Sequence, residues 1–221
     1  MEPAIFAGLL LATFVGLLVL VLFLVGRQSE KAHRNHTQLA LQLGLTPAAV
    51  RPKLGFFWPS PTAAGTLRGK AAHLYNFSTG SGKSRTQWSA LAVRPRELGG
   101  LTFSFSRQGF DTKLAQLFGA REITLGDPAF DAMWFVETNQ PEFLQAALLP
   151  ELRQRLTAAV NEAGRPGRSI SFKLETDAVV YAEAGDFSDD RVCARIARAA
   201  DVLCDFADVA EVFAQHSQPG P

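Results

Sequence analysis

The chain has 221 residues, 47% apolar and 19% charged, with a formal net charge of +1 and two cysteines. Such a composition excludes a largely disordered or collagen-like chain. Cys193 and Cys204 lie outside any CxxC or Cys/His pattern, so they build neither a disulfide framework nor a cysteine metal site. The length allows one ordinary domain plus a short extra segment, and unpaired cysteines fit a reducing compartment.

The extra segment comes first. Ala4 to Val25 carries no charge over twenty-two residues, and at ~1.5 Å per helical residue that run covers the ~30 Å hydrocarbon core of a bilayer. A cleaved signal would start with a positive region and end at small residues, whereas Glu2 precedes this run and Arg27-Gln28 follows it. The reading is an uncleaved membrane anchor over residues 1–27. Arg27, Lys31 and Arg34 after the span predict an N-terminus outside and a cytoplasmic remainder at the inner membrane. Gly8, Ala12 and Gly16 form a small-xxx-small stripe. It offers a homodimer contact, or else is the ordinary glycine content of such helices.

Residues 28–64 read as a juxtamembrane helix and linker. Ser29 is placed to cap a helix from Glu30 to about Leu43, with Gly44 as its stop, and His33 and His36 lie on its polar, solvated part. Pro47, Pro52, Pro59 and Pro61 punctuate the connection, and Phe56, Phe57 and Trp58 tuck against the domain or lie at lipid headgroups. The domain spans 65–215, with 216–221 as a tail. Strands are predicted at 66–68, 71–78, 85–94, 101–106, 121–125, 132–138, 169–174 and 178–184, with short connections making neighbours antiparallel. A short helix is predicted over Asp111 to Phe118. Asn139 caps a helix carrying Pro141, and Pro150 starts another to about Ala163. The fold class is α+β: an anchor, an antiparallel sheet packed by helices, and a long C-terminal helix.

That last helix runs from Ser188 to about Gln215. Val192, Ile196, Ala199, Leu203, Phe206, Ala210 and Phe213 recur at steps of four and three. The seam must be buried, either on the sheet or against the same helix of a second copy. Arg191, Arg195 and Arg198 fill its first half and Asp201, Asp205, Asp208 and Glu211 its second. Overall neutrality hides this split: Gln28 to Leu174 carries eighteen Lys/Arg against ten Asp/Glu, and the rest three against ten. The positive excess sits in the strands, at Arg68, Lys70, Lys83, Arg85, Arg94, Arg96 and Arg107. These either face anionic lipid or are neutralised by the acidic last helix.

Few motifs carry chemistry. Gly80-Ser-Gly-Lys-Ser84 lacks the leading glycine of a phosphate loop and precedes a strand, so it reads as a hairpin turn. His33, His36, His73 and His216 lack companions at metal-ligand or catalytic spacing, and Asp127-Pro128 with Asp131 is turn chemistry. Tyr75, Phe77, Trp88, Phe103 and Phe105 alternate as core residues do, which weighs against a base-stacking surface and so against nucleic acid as a partner. No catalytic residue, cofactor or metal site is assigned.

Gly126-Asp-Pro-Ala-Phe-Asp131, Phe135-Val136 and Leu148-Leu-Pro-Glu-Leu-Arg153 resemble a pattern in uncharacterised bacterial single-span membrane proteins. The resemblance implies a bacterial inner-membrane setting and transfers no catalytic residue. The strand-rich order with a closing helix also resembles pleckstrin-homology-like domains, from which the two helices between Asn139 and Ala163 depart. The expected function is a membrane-anchored, non-enzymatic interaction or scaffold domain that contacts anionic lipid or a partner through Arg85, Arg94 and Arg96. A ligand-binding or enzymatic domain with a pocket assembled from distant residues is the alternative.

Overall fold

From Ala4 to Val25 apolar side chains fill the first helix on every side, a pattern that needs either a protein interior or lipid around it. The computed structural model describes residues 3–53, 58–107, 123–161 and 169–217. Its first helix, α1 (Pro3–Gln42), is the one helix among the described residues long and apolar enough to cross a membrane. Leu10 to Val25 stand exposed to the surroundings, and the helix then continues without a break into the domain. Ser29 therefore caps nothing. Its hydroxyl accepts from the Trp58 amide at 3.0 Å and donates to the Trp58 carbonyl at 3.3 Å, pinning the returning linker to the helix.

The strands are β1 (Thr46–Pro47), β2 (Thr62–Leu67), β3 (Lys70–Thr79), β4 (Thr86–Arg94), β5 (Phe103–Arg107), β6 (Trp134–Thr138), β7 (Ile170–Glu175) and β8 (Ala178–Ala184). They form one antiparallel sheet in the order β1-β2-β3-β4-β8-β7-β5-β6. The predicted α+β architecture is thus observed. Residues 123–125 are irregular, where a strand was expected, although Ile123 still donates to the Val136 carbonyl at 2.9 Å. The expected helix over Asp111 to Phe118, Arg121, and Phe56 and Phe57 lie outside the described residues.

Short loops had suggested that β4 and β5 pair, yet the β7–β8 hairpin sits between them. The connection after β4 is instead drawn across the end of the last helix. Arg96 donates its amide to Glu211 at 2.8 Å, and Gly99, at φ +55°, lies so close to Ala214 that a Cβ would stand 2.5 Å from its Cα.

Among the described residues, four α-helices follow α1: α2 (Pro128–Asp131), α3 (Pro141–Ala147), α4 (Pro150–Val160) and α5 (Asp190–Ser217). Asp127 caps α2 through the Phe130 amide at 3.1 Å and pairs with Arg153 at 3.5 Å, while Asp131 accepts from the Leu125 amide at 2.9 Å. Asn139 does not cap α3. Its amide group instead joins Thr102 and Gly100 at 2.9 and 2.7 Å, tying the start of β5 to the end of β6. The seam of α5 is taken up inside the chain: Phe206 packs on Phe103, Phe105 and Phe172, and Phe213 on Phe143. That burial answers the periodicity and leaves no seam for pairing with a second copy. The core also draws on Leu39, Ala40, Leu45 and Ala63, from the stretch read as stalk and linker.

Candidate functional site

Because side chains alternate across a strand, the register sorts the sheet into two faces. One row runs Leu74, Leu91, Tyr181, Phe172, Phe105 and Val136, all buried, beneath the helices. The row beside it on the other face runs Tyr75, Ala90, Ala182, Ser171, Ser106 and Phe135. This second face carries the candidate site.

Its rings form a column at the β3–β4 side. His73 stacks on Tyr75 at 4.8 Å, Tyr75 lies 6.0 Å from Phe77, and Phe77 stacks on Trp88 at 6.0 Å. Trp88 is fixed further by donating from Nε1 to Thr79 at 2.8 Å. Beside the column, Ala92, Ala178, Val180 and Ala182 are too small to fill the space, and Ser171 and Lys173 stand on the far side. Together they bound an open groove of about 660 Å³. Aromatic residues here are half-exposed, so the expectation of a wholly buried aromatic set holds for Phe103 and Phe105 and fails for Tyr75, Phe77 and Trp88.

Two contacts set the height of this groove relative to α1. His36 meets the Leu74 carbonyl at 3.4 Å, and Gln28 donates to Asp186, whose neighbour Gly185 bonds to the Gln87 carbonyl at 2.8 Å beside the Trp88–Phe77 pair. Leu74 to Phe77 is about 10 Å of strand, and His36 to Gln28 is about 12 Å of helix. The two rulers agree, so β3 runs back along α1. Phe77 and Trp88 mark the end of the groove nearest the apolar span, and Arg94, Lys173 and Asp177 the far end.

The three arginines expected to act together are separated. Arg85 lies at the span end, where it donates to Ser78 at 3.1 Å. Arg94, at the other end of β4 and about 30 Å away, pairs with Asp177 at 2.5 Å. Arg96 lies beyond the strand, by the α5 side of the sheet. Other strand cations meet the acidic half of α5: Arg68 reaches Asp205 and Asp208 at 2.6 and 2.7 Å, and Lys70 reaches Asp208 and Glu211 at 2.7 and 3.1 Å. Burial works against charge on Lys70, but those two carboxylates outweigh it and hold its pKa above the usual value. For Arg68 and Lys70, neutralisation by the last helix is therefore the arrangement found.

His36, His33, Glu183 and Cys193 take structural places. His36 is 1% exposed, not solvated; it packs edge-on to Phe187, and burial drives its pKa down to about 4. His33 stacks on Trp58 at 4.0 Å. Glu183, fully buried, accepts from Arg195 Nε at 2.7 Å, Arg195 Nη2 at 2.5 Å and Tyr181 at 3.0 Å, bolting β8 to α5. Burial pushes the Cys193 thiol up to about 12, which keeps it protonated and unreactive. The groove left one trace in the sequence, the alternation at 73, 75 and 77. An alternating strand looks the same whether its apolar face meets a helix or stays open.

No family model and no curated protein matches the chain. A solved structure, the mycobacterial trehalose monomycolate transport factor A, TtfA, is similar to it at 13% identity and a TM-score of 0.46, over 86% of this chain and 98% of that one.

Proposed function

We propose that the chain is a membrane-anchored, non-enzymatic binding domain that holds the apolar chain of a membrane amphiphile along the open face of its sheet. The observation that carries this is the groove itself: a wall of stacked rings beside an alanine floor, with Phe77 and Trp88 at the end nearest the span. From Ala71 to Phe77 it extends about 20 Å, long and narrow enough for one extended hydrocarbon chain. Rings and small side chains offer contact area without directional bonding, which suits a flexible apolar ligand. Hydroxyls and the Arg94–Asp177 pair at the rim suit its polar end.

Acid–base chemistry is poorly served. His73 and Ser171, a base and a hydroxyl in the same lining, stand three strand spacings apart, about 14 Å, beyond any hydrogen bond. The positive flank of the span, Arg27, Lys31 and Arg34, supports an outside N-terminus and a cytoplasmic domain at a bacterial inner membrane. Gly8, Ala12 and Gly16 are the surface that a second copy would use within the bilayer.

The test is photolabelling of the full chain in nanodiscs that contain a diazirine-bearing fatty acid. Labels on Tyr75, Ala92 or Val180, lost when Ala92→Phe fills the floor, support the reading. Labels confined to α1, or unchanged in Ala92→Phe, overturn it.

A further inference from the structure

We infer that the tip of the β3–β4 hairpin is a second membrane contact, seating Lys83 and Arg85 among the anionic headgroups of the bilayer that α1 spans. The inference rests on the anchoring reading above and is independent of what the groove holds.

Three observations carry it. The first is reach. β8 ends at Ala184, opposite Trp88, and β2 begins at Thr62, opposite Tyr75, so the hairpin continues alone past both neighbours. Phe77 stands near the level of Gln28, and Gly80 lies about 10 Å further toward the span. That distance equals about seven helical residues, which places the tip beside the last turns of the apolar run. A flat-ended sheet would leave headgroups untouched; this one projects into their layer.

The second is charge. From Ser78 to Trp88 the hairpin carries Lys83 and Arg85 and no acidic residue. Among the described residues neither forms an ion pair, in contrast to Lys31, Arg68, Lys70, Arg94, Arg155 and Arg195, which are each held by a carboxylate. The Arg85 guanidinium donates to the neutral Ser78 hydroxyl. Fixed cations at a bilayer surface gain from anionic lipid within a Debye length.

The third is shape. Gly80 and Gly82 take φ of +75° and +56°. A Cβ on Gly80 would stand 2.5 Å from the Ser84 carbonyl oxygen, and Ser84 closes the turn on the Ser81 carbonyl through its amide at 3.2 Å and its hydroxyl at 2.9 Å. The tip is thus a built turn that presents two cations, with the Phe77 and Trp88 rings behind it at the depth where interfacial aromatics sit. Trp58, which borders a cleft with Gly26, Arg27 and Glu30 of α1, lies in the same belt.

The experiment places a nitroxide on Ser81→Cys in the full chain, reconstituted in nanodiscs of neutral or mixed neutral and anionic phospholipid. Relaxation by oxygen and by a water-soluble nickel chelate reads its depth. The expected result is headgroup depth in anionic nanodiscs at low salt, moving to water at high salt or in neutral lipid. Each of Lys83→Ala and Arg85→Ala lowers the seated-to-lifted ratio about fivefold, and Arg94→Ala with Arg96→Ala leaves it unchanged. A label in water in every lipid, or equal sensitivity to the Arg94 and Arg96 changes, overturns the inference. Failure of the chain to travel with the nanodisc defeats the anchoring reading instead, so the two failures are distinct.

Discussion

The two faces of the sheet are made from the same strands, one residue out of phase, and they differ both in size of side chain and in polarity. Under the helices stand Leu, Phe, Tyr and Trp, interlocked with α5. At the groove of the open face stand alanines, Ser171 and Lys173 beside a column of rings. Large side chains fill space and hold the fold; small ones next to rings leave space that something else can occupy. Stability therefore belongs to the first face and the open groove to the second, a division that mutation can break.

The largest effect is expected where a charge would be stranded in the covered face. Arg195→Ala leaves Glu183 buried with Tyr181 as its remaining donor among the described residues, which costs about 3–5 kcal/mol. Denaturation of the purified full chain should show it, and Glu183→Leu combined with Arg195→Met should recover most of the loss. If the single change costs under about 1 kcal/mol, the bolt between β8 and α5 is not structural.

A smaller effect follows from His36. Its folded pKa, brought to about 4, lies below the ordinary value near 6.5, so between these pH values the unfolded chain binds a proton that the folded chain refuses. The contribution is fully present above pH ~6.5 and is lost as pH falls toward ~4, by about 2–3 kcal/mol. His36→Gln, which keeps a donor for the Leu74 carbonyl, should flatten that part of the stability profile. An unchanged slope would assign acid sensitivity to other groups.

The smallest stability effect belongs to the open face. Tyr75→Ala and Phe77→Ala should each cost about 1 kcal/mol, the worth of one half-exposed ring stacked on its neighbours. Both should nevertheless reduce photolabelling of Val180 by far more than the fold is weakened. A loss as large as that from Arg195→Ala would mean that the two faces share the structural work.

Much of this was legible in the sequence for local reasons. The apolar run of Ala4 to Val25 can only be a span or a buried helix. The hairpin at Gly80 to Arg85 and the strand limits at Ala178 and Ala184 follow from turn residues and alternation. The steps of four and three in α5 required burial of that seam. The candidate site was less legible. Arg85, Arg94 and Arg96 are close in number, yet the extended strand between the first two holds them about 30 Å apart. His33 and His36 looked solvated because the residues that cover them, Trp58, Leu74 and Phe187, come from three separate segments.

The sequence by itself determined the elements, because helix, strand and turn depend on neighbours within a few residues and on the period of the apolar pattern. Only the tertiary structure decided that β7–β8 enters between β4 and β5, that α5 answers its own seam within the chain, and which side of the alternating strands stays open. Those outcomes depend on contacts between residues a hundred or more positions apart, such as Arg68 with Asp205 or Gln28 with Asp186. No local pattern encodes such distances, and the groove exists only once they are made.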